Sequence, residues 1–157
     1  MSVKTIPDGY HSVTPYLSIK GADAAIEFYR KAFDAIELFR LTMPGGIIGH
    51  AEIQIGSSRI MVADPCDDVS FGDPKTLGGS TVGLYVYVND VDAMYSQAVA
   101  AGAKIVNPVE DQFYGDRTGT IEDPYGHRWF LATHKEDLTP EELNKRAEAL
   151  FKQDTSG

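Results

Sequence analysis

The sequence predicts an α+β fold: two βαβββ modules forming cupped mixed sheets, followed by a separate C-terminal helix. Three observations carry this expectation. Strand-like and helix-like periodicities occur twice in the same order along the chain. The two halves match at a nearly constant offset: Leu17 falls on Val86 and Ile19 on Val88, 69 residues apart. A last amphipathic stretch follows a helix-start signal of its own.

In chain order, residues 13–19 alternate as a strand, and residues 22–33 carry Ala22, Ala25, Ile26, Tyr29, Ala32 and Phe33 at helical spacing. Strands follow at 35–42 and 50–55 around Pro44-Gly45-Gly46, and at 59–63 after Gly56-Ser57-Ser58. Residues 64–80, rich in Asp, Gly, Pro and Ser, read as the connecting loop. The second module repeats the plan. Residues 82–88 are rich in Val and Tyr, Asn89-Asp90 can cap a helix over 91–101, and Gly102 ends it. Strands at 104–109, 118–122 and 127–133 complete it, the last after the turn Asp123-Pro124-Tyr125-Gly126. The offset of 69 returns here, since Arg59-Ile60-Met61-Val62-Ala63 falls on Arg128-Trp129-Phe130-Leu131-Ala132. Thr139-Pro140-Glu141-Glu142 is a capping box with proline at the first helical position. Leu143, Ala147, Leu150 and Phe151 then form one apolar stripe, expected to dock on its own domain. The whole chain, 1–157, reads as one domain: module 1 about 10–64, module 2 about 81–134, helix about 139–153.

Composition bounds the function. With 43% hydrophobic and 24% charged residues, 157 residues suffice for one core. A net charge of -9 opposes binding to nucleic acid or to anionic membrane surfaces. The N-terminus has no apolar leader-like stretch and no later run approaches membrane-spanning length, so a cytoplasmic protein is expected. The single cysteine, Cys66, excludes an internal disulfide, and Asp64, Asp67 and Asp68 around it disfavour a thiolate.

Certain motifs carry a family resemblance. They are Ala25-Ile26-Glu27-Phe28-Tyr29 with Ala32-Phe33, and Glu122-Asp123-Pro124-Tyr125-Gly126-His127 before the last strand. On these the chain resembles the vicinal-oxygen-chelate superfamily (glyoxalase, bleomycin resistance, dioxygenase). Val13-Thr14-Pro15-Tyr16-Leu17, His50-Ala51-Glu52, Asp111-Gln112-Phe113-Tyr114-Gly115-Asp116-Arg117 and Ala132-Thr133-His134 make it similar to the PhnB-like branch. That branch often carries a methyltransferase label, but no glycine-rich turn here follows a strand and opens a helix as a nucleotide-type cofactor needs. The resemblance implies a homodimer, with the cup closed either within one chain or across two.

It also implies four inward positions where metal-using members place His and Glu. Matching the motifs puts them at Thr14, Met61, Gly83 and Phe130, and the pairs Thr14/Gly83 and Met61/Phe130 are each 69 apart. A hydroxyl, a thioether, no side chain and a phenyl ring make a poor set for a hard or borderline divalent ion. The expectation is therefore no metal and no other cofactor. The alternative is a divalent metal at a displaced site on His50 and Glu52, which alternate on one strand face. Those two residues can equally form a solvated His–Glu pair.

Strand alternation puts Tyr16, Arg59, Met61, Tyr85, Tyr87, Arg128 and Phe130 on the cup face, and Gln112 and Tyr114 lie in a loop able to close its mouth or to serve as an ion-paired hairpin in which Asp116 or Glu110 satisfies Arg117. An aromatic lining with two cations suits a small, flat aromatic or anionic organic molecule; it can also simply fill a small core. The functions expected are a metal-free small-molecule binder or, alternatively, a lyase, isomerase or dioxygenase-type enzyme using a displaced metal or Glu52 as general base with His50. A third is an interaction role through the C-terminal helix.

Overall fold

The computed structural model describes residues 2–66 and 71–155; Asp67 and Asp68, read above as neighbours of Cys66, lie outside the described residues. Twelve elements follow one another among them: β1 (Tyr16–Ser18), α1 (Ala22–Phe33), β2 (Ile36–Thr42), β3 (Ile48–Ile55), β4 (Ser58–Ala63), α2 (Pro74–Leu77), β5 (Gly83–Tyr87), α3 (Val91–Ala101), β6 (Lys104–Asp111), β7 (Asp116–Glu122), β8 (Arg128–His134) and α4 (Pro140–Thr155). None of the helices is long and apolar enough to cross a membrane.

The strands form two separate four-stranded sheets, ordered β1-β4-β3-β2 and β5-β8-β7-β6. In each, the first strand pairs in parallel with the last, and the others are antiparallel. The repeat survives in the register: Tyr16 pairs with Met61, and Tyr85 with Phe130. β1 and β5 each have one free edge.

The repeat extends to helix capping. Gly21, the N-cap of α1, has no side chain to bond the first amides. Asp64 does so from a distance, its Oδ1 accepting from Gly21 N (2.8 Å) and Ala22 N (3.1 Å), and its Oδ2 from Ile48 N (2.7 Å). In module 2 the residue 69 further on, Thr133, accepts from Val91 N (2.9 Å) at the start of α3 and donates to Val88 O (2.8 Å). Asp90 adds a local cap through Ala93 N.

Helices α1 and α3 pack on each other, α1 against β2 and β3 and α3 against β6, β7 and β8. One apolar core spans both modules. Tyr29 and Phe33 of α1 meet Trp129 of β8 at ring-centroid distances of 5.3 and 4.6 Å. The buried carboxylate of Asp123 accepts from Tyr29 Oη (2.6 Å), Trp129 Nε1 (2.9 Å), Tyr125 N (2.9 Å) and His127 N (3.0 Å). His127, buried in the same turn, sets Nε2 3.3 Å from Ser18 O of module 1. The Asp-Pro-Tyr-Gly-His turn thus clasps the modules together.

The structure departs from the sequence reading in three places. β1 is shorter than residues 13–19, because its ladder begins only where Met61 N bonds Pro15 O, and Val13 stays exposed. The connecting loop contains α2, capped by Asp73 through Thr76. The stripe of α4 is covered only in its first half: Leu143 and Ala147 are half-buried, whereas Leu150 is 41% and Phe151 63% exposed. Arg146 helps to tie this helix down, donating to Phe113 O and Glu136.

Candidate functional site

With the helices on one side of each sheet, the other face of each sheet is open. In module 2, Tyr85 and Tyr87 alternate outward on β5 and remain 43% and 61% exposed. Their phenols reach across the sheet to Oδ2 of Asp116 on β7, at 2.7 and 3.0 Å. His134, opposite Asp116 in register on β8, sets Nδ1 2.7 Å from Asp116 Oδ1 and Nε2 2.7 Å from Asp137 Oδ1. Phe130 stacks on Tyr85 at 6.0 Å between centroids. Burial alone would raise the Asp116 carboxyl, but bonds from His134, Tyr85 and Tyr87 hold it below the usual carboxylate range. Burial, then the bond to Asp116, pushes Tyr85 well above an ordinary phenol, so it stays a neutral donor. The bonds to Asp116 and then to Asp137 raise His134 above an ordinary imidazole.

In module 1 the equivalent tyrosine, Tyr16, has its phenol oxygen 2.8 Å from His50 Nδ1, and His50 Nε2 lies 3.2 Å from Glu52 Oε2. With Glu52 ionised and His50 neutral, Nε2–H donates to Glu52 and Tyr16 donates to Nδ1; this tautomer follows from the bonding pattern. Phe39 and Phe71 flank this relay, and Met61 lies between Tyr16 and Glu52 in register. Burial, then charge at Cys66, raises the Tyr16 phenol.

A cavity of about 760 Å3 runs along the free edge of β5. Thr14, Tyr10, Gln54 and Arg59 from module 1 and Tyr85 and Tyr87 from module 2 are among its walls. The Tyr10 hydroxyl is a buried side-chain polar atom with no hydrogen-bond partner.

The predicted site residues therefore divide into three groups. Tyr16, His50, Glu52 and Met61 share the open face of sheet 1; Tyr85, Tyr87, Phe130 and Arg128 share that of sheet 2; Thr14 joins the cavity. Gln112 and Tyr114 belong to a hairpin turn closed by Gln112 N to Asp116 O and Gly115 N to Gln112 O. Its arginine differs from expectation: Arg117 is held by Asp92 and Asp111, not by Asp116 or Glu110, because Asp116 points to the opposite face. Arg59 also turns aside, lying 5.0 Å from the Tyr10 ring and donating to Asp8 O and Gln54. Asp137 was not noted in the sequence, and Asp116 and His134 entered there as parts of motifs and, for Asp116, as a partner for Arg117, not as site residues. The missed signal was strand length: β8 extends to His134, which continues the alternation of Phe130 and Ala132.

The donor set does not fit a divalent metal. Met61 supplies a thioether, Gly83 nothing and Phe130 a phenyl ring. The ring of Phe130 also covers Gly83 so closely that a Cβ there would stand 2.3 Å from Cε2. Among the described residues, no three His, Cys, Asp or Glu side chains are grouped to hold an ion.

Comparisons with known proteins agree with this architecture. The model of the Glyoxalase/Bleomycin resistance protein/Dioxygenase superfamily matches residues 11–131. An uncharacterised protein of Mycobacterium bovis is 38% identical over 135 residues, covering 84% of this chain and 89% of its own. The crystal structure of TioX from Micromonospora sp. ML1 superposes with a TM-score of 0.63 at 29% identity, over 82% of this chain and 100% of that one. A Bacillus cereus PhnB protein, described as a putative 3-demethylubiquinone-9 3-methyltransferase, shares the fold, with a TM-score of 0.62 at 21% identity over 78% of this chain and 99% of its own.

Proposed function

Because the chain belongs to the glyoxalase/bleomycin resistance protein/dioxygenase superfamily, we propose that it is a metal-independent binding protein for a small aromatic organic molecule, held in the cup that its sheets form. The observation that carries this reading is the Phe130 ring lying over Gly83, which puts hydrocarbon at the positions matched to the ligands of metal-using relatives. Exposed aromatic rings on both open faces support it, since soluble proteins seldom leave such groups uncovered without use. The partner that completes each cup is a second copy of the chain. Support comes from the free edges of β1 and β5 and from sheet faces left open on the far side of the helices. The test is equilibrium dialysis and thermal-shift screening against flat aromatic compounds, with elemental analysis of the purified protein. Saturable binding without stoichiometric metal is expected; a bound divalent ion, or no binding across the series, sinks the reading.

The Tyr16–His50–Glu52 relay favours a second reading, a metal-independent isomerase. Its parts stand in the order proton donor, base and orienting carboxylate. Glu52 is then the positioning residue, and Tyr16 Oη the atom that meets the bound molecule. Turnover lost in Tyr16→Phe, with binding retained, would select this reading over simple sequestration.

A further inference from the structure

We propose that the open face of sheet β5-β8-β7-β6 is a subsite for an organic ammonium ion carried on an aromatic body; this rests on the aromatic-cup reading above and names the charge of its ligand. The polar hydrogens on this face decide the charge. A phenol has one O–H. Those of Tyr85 and Tyr87 are both committed to Asp116 Oδ2, at 2.7 and 3.0 Å. A protonated His134 has two N–H groups, committed to Asp116 and Asp137 at 2.7 Å each. Tyr85 and Tyr87 therefore turn their donors inward to the buried Asp116, while His134 divides its own between Asp116 and the exposed Asp137. What Tyr85 and Tyr87 offer an incoming molecule is oxygen lone pairs and ring faces.

The rings make a continuous floor. Tyr85 and Tyr87 lie 5.2 Å apart between centroids, and Tyr85 stacks on Phe130 at 6.0 Å and 17°. Beneath them Asp116 is 5% exposed, so its charge is felt through the rings rather than neutralised by water. Two carboxylates, Asp116 and Asp137, flank the single imidazolium of His134, leaving the cluster net negative. Arg128 and Lys104 lie at the opposite end of the sheet, in the register row of Gly83 and Glu122. An anion placed on this floor finds the hydrogens of Tyr85 and Tyr87 already bound to Asp116 and meets the negative charge of that carboxylate, with the Tyr114 hydroxyl beside Tyr85 as the neighbouring donor. A neutral aromatic gains stacking alone. An ammonium gains cation–π contact and donates to the phenol oxygens, and the chain's charge of -9 favours its approach.

The experiment compares benzylammonium, benzyl alcohol and benzoate by NMR titration of the full-length protein at low ionic strength, reading tyrosine ring resonances. Benzylammonium is expected to bind about tenfold or more tighter than benzyl alcohol, with benzoate weakest. Added salt should narrow the gap. Tyr87→Leu removes an exposed ring together with its bond to Asp116 and should lower benzylammonium affinity several-fold; Phe130→Leu removes a ring with no polar contact and should lower it without changing the bonds to Asp116. Equal binding of the alcohol and the ammonium, or tightest binding of benzoate, overturns the ammonium subsite and leaves the aromatic cup standing. Binding by none of the three overturns the subsite and counts against the cup as well. Unchanged affinity in both variants overturns the location.

Discussion

At the scale of single residues, Asp123 is the group the fold depends on most. It accepts four donors inside the core, and its removal would leave the Tyr29 and Trp129 donors without their partner. Asp123→Ala should cost about 3 kcal/mol or more in urea denaturation, and Tyr29→Phe about 1–2 kcal/mol, since it deletes one bond to the same carboxylate. The run Asp123-Pro124-Tyr125-Gly126 was legible as a turn. The clasp was not, because Tyr29 lies 94 residues away and no local pattern joins them. His134 supplies a pH prediction. Its bonds to Asp116 and then Asp137 raise its pKa, so their stabilisation is complete below the ordinary imidazole value and fades as pH rises through the elevated one. Asp116 is held low, so its share is present above the ordinary carboxylate value and fades as pH falls through the depressed one. Melting temperature against pH should therefore decline on both sides, and His134→Gln should flatten the alkaline decline and shrink the acid one, because the His134 bond comes first among those that hold Asp116 low.

At the scale of elements, the sequence specified most helices and strands because periodicity is local. Helix α1 falls where apolar spacing placed it, and α3 where the Asn89-Asp90 cap and Gly102 placed it. Errors fell where tertiary partners decide. β8 runs on to His134 and β7 starts at Asp116 because the two residues pair with each other. β1 is trimmed because its ladder depends wholly on β4. Capping makes a prediction at this scale. Asp64 serves two amides at the start of α1 and one on β3, whereas Thr133 serves one amide of α3. Asp64→Ala should cost about 1–2 kcal/mol and Thr133→Val about 1 kcal/mol or less by equilibrium unfolding. An equal loss at both sites would mean that neither the charge of the cap nor the number of amides it serves sets the cost.

At the scale of the whole molecule, the doubled plan was readable from the offset between halves, but the mutual placement of the halves was not. The helices lie against one another and the open faces point away from them, an arrangement set by aromatic contacts such as Phe33 with Trp129. The candidate site was legible as a set of residue types on two strand faces; its grouping around Asp116 was not. If a second copy completes the cups, sedimentation velocity should report a dimer. Deleting residues 139–157 should leave that dimer intact, because Arg146 bonds α4 to Phe113 O and Glu136 of its own chain. A monomer after truncation would instead give α4 the assembly role.

The contact between Gly83 and Phe130 constrains how this lineage can change. A side chain at position 83 meets the ring at 130, so a donor introduced there has to push the ring aside. The reverse order is open: shrinking position 130 first clears the space. Mutational paths toward a charged centre therefore open more easily through β8 first, and a screen that randomises position 83 should return more variety when position 130 is small than when its ring is kept.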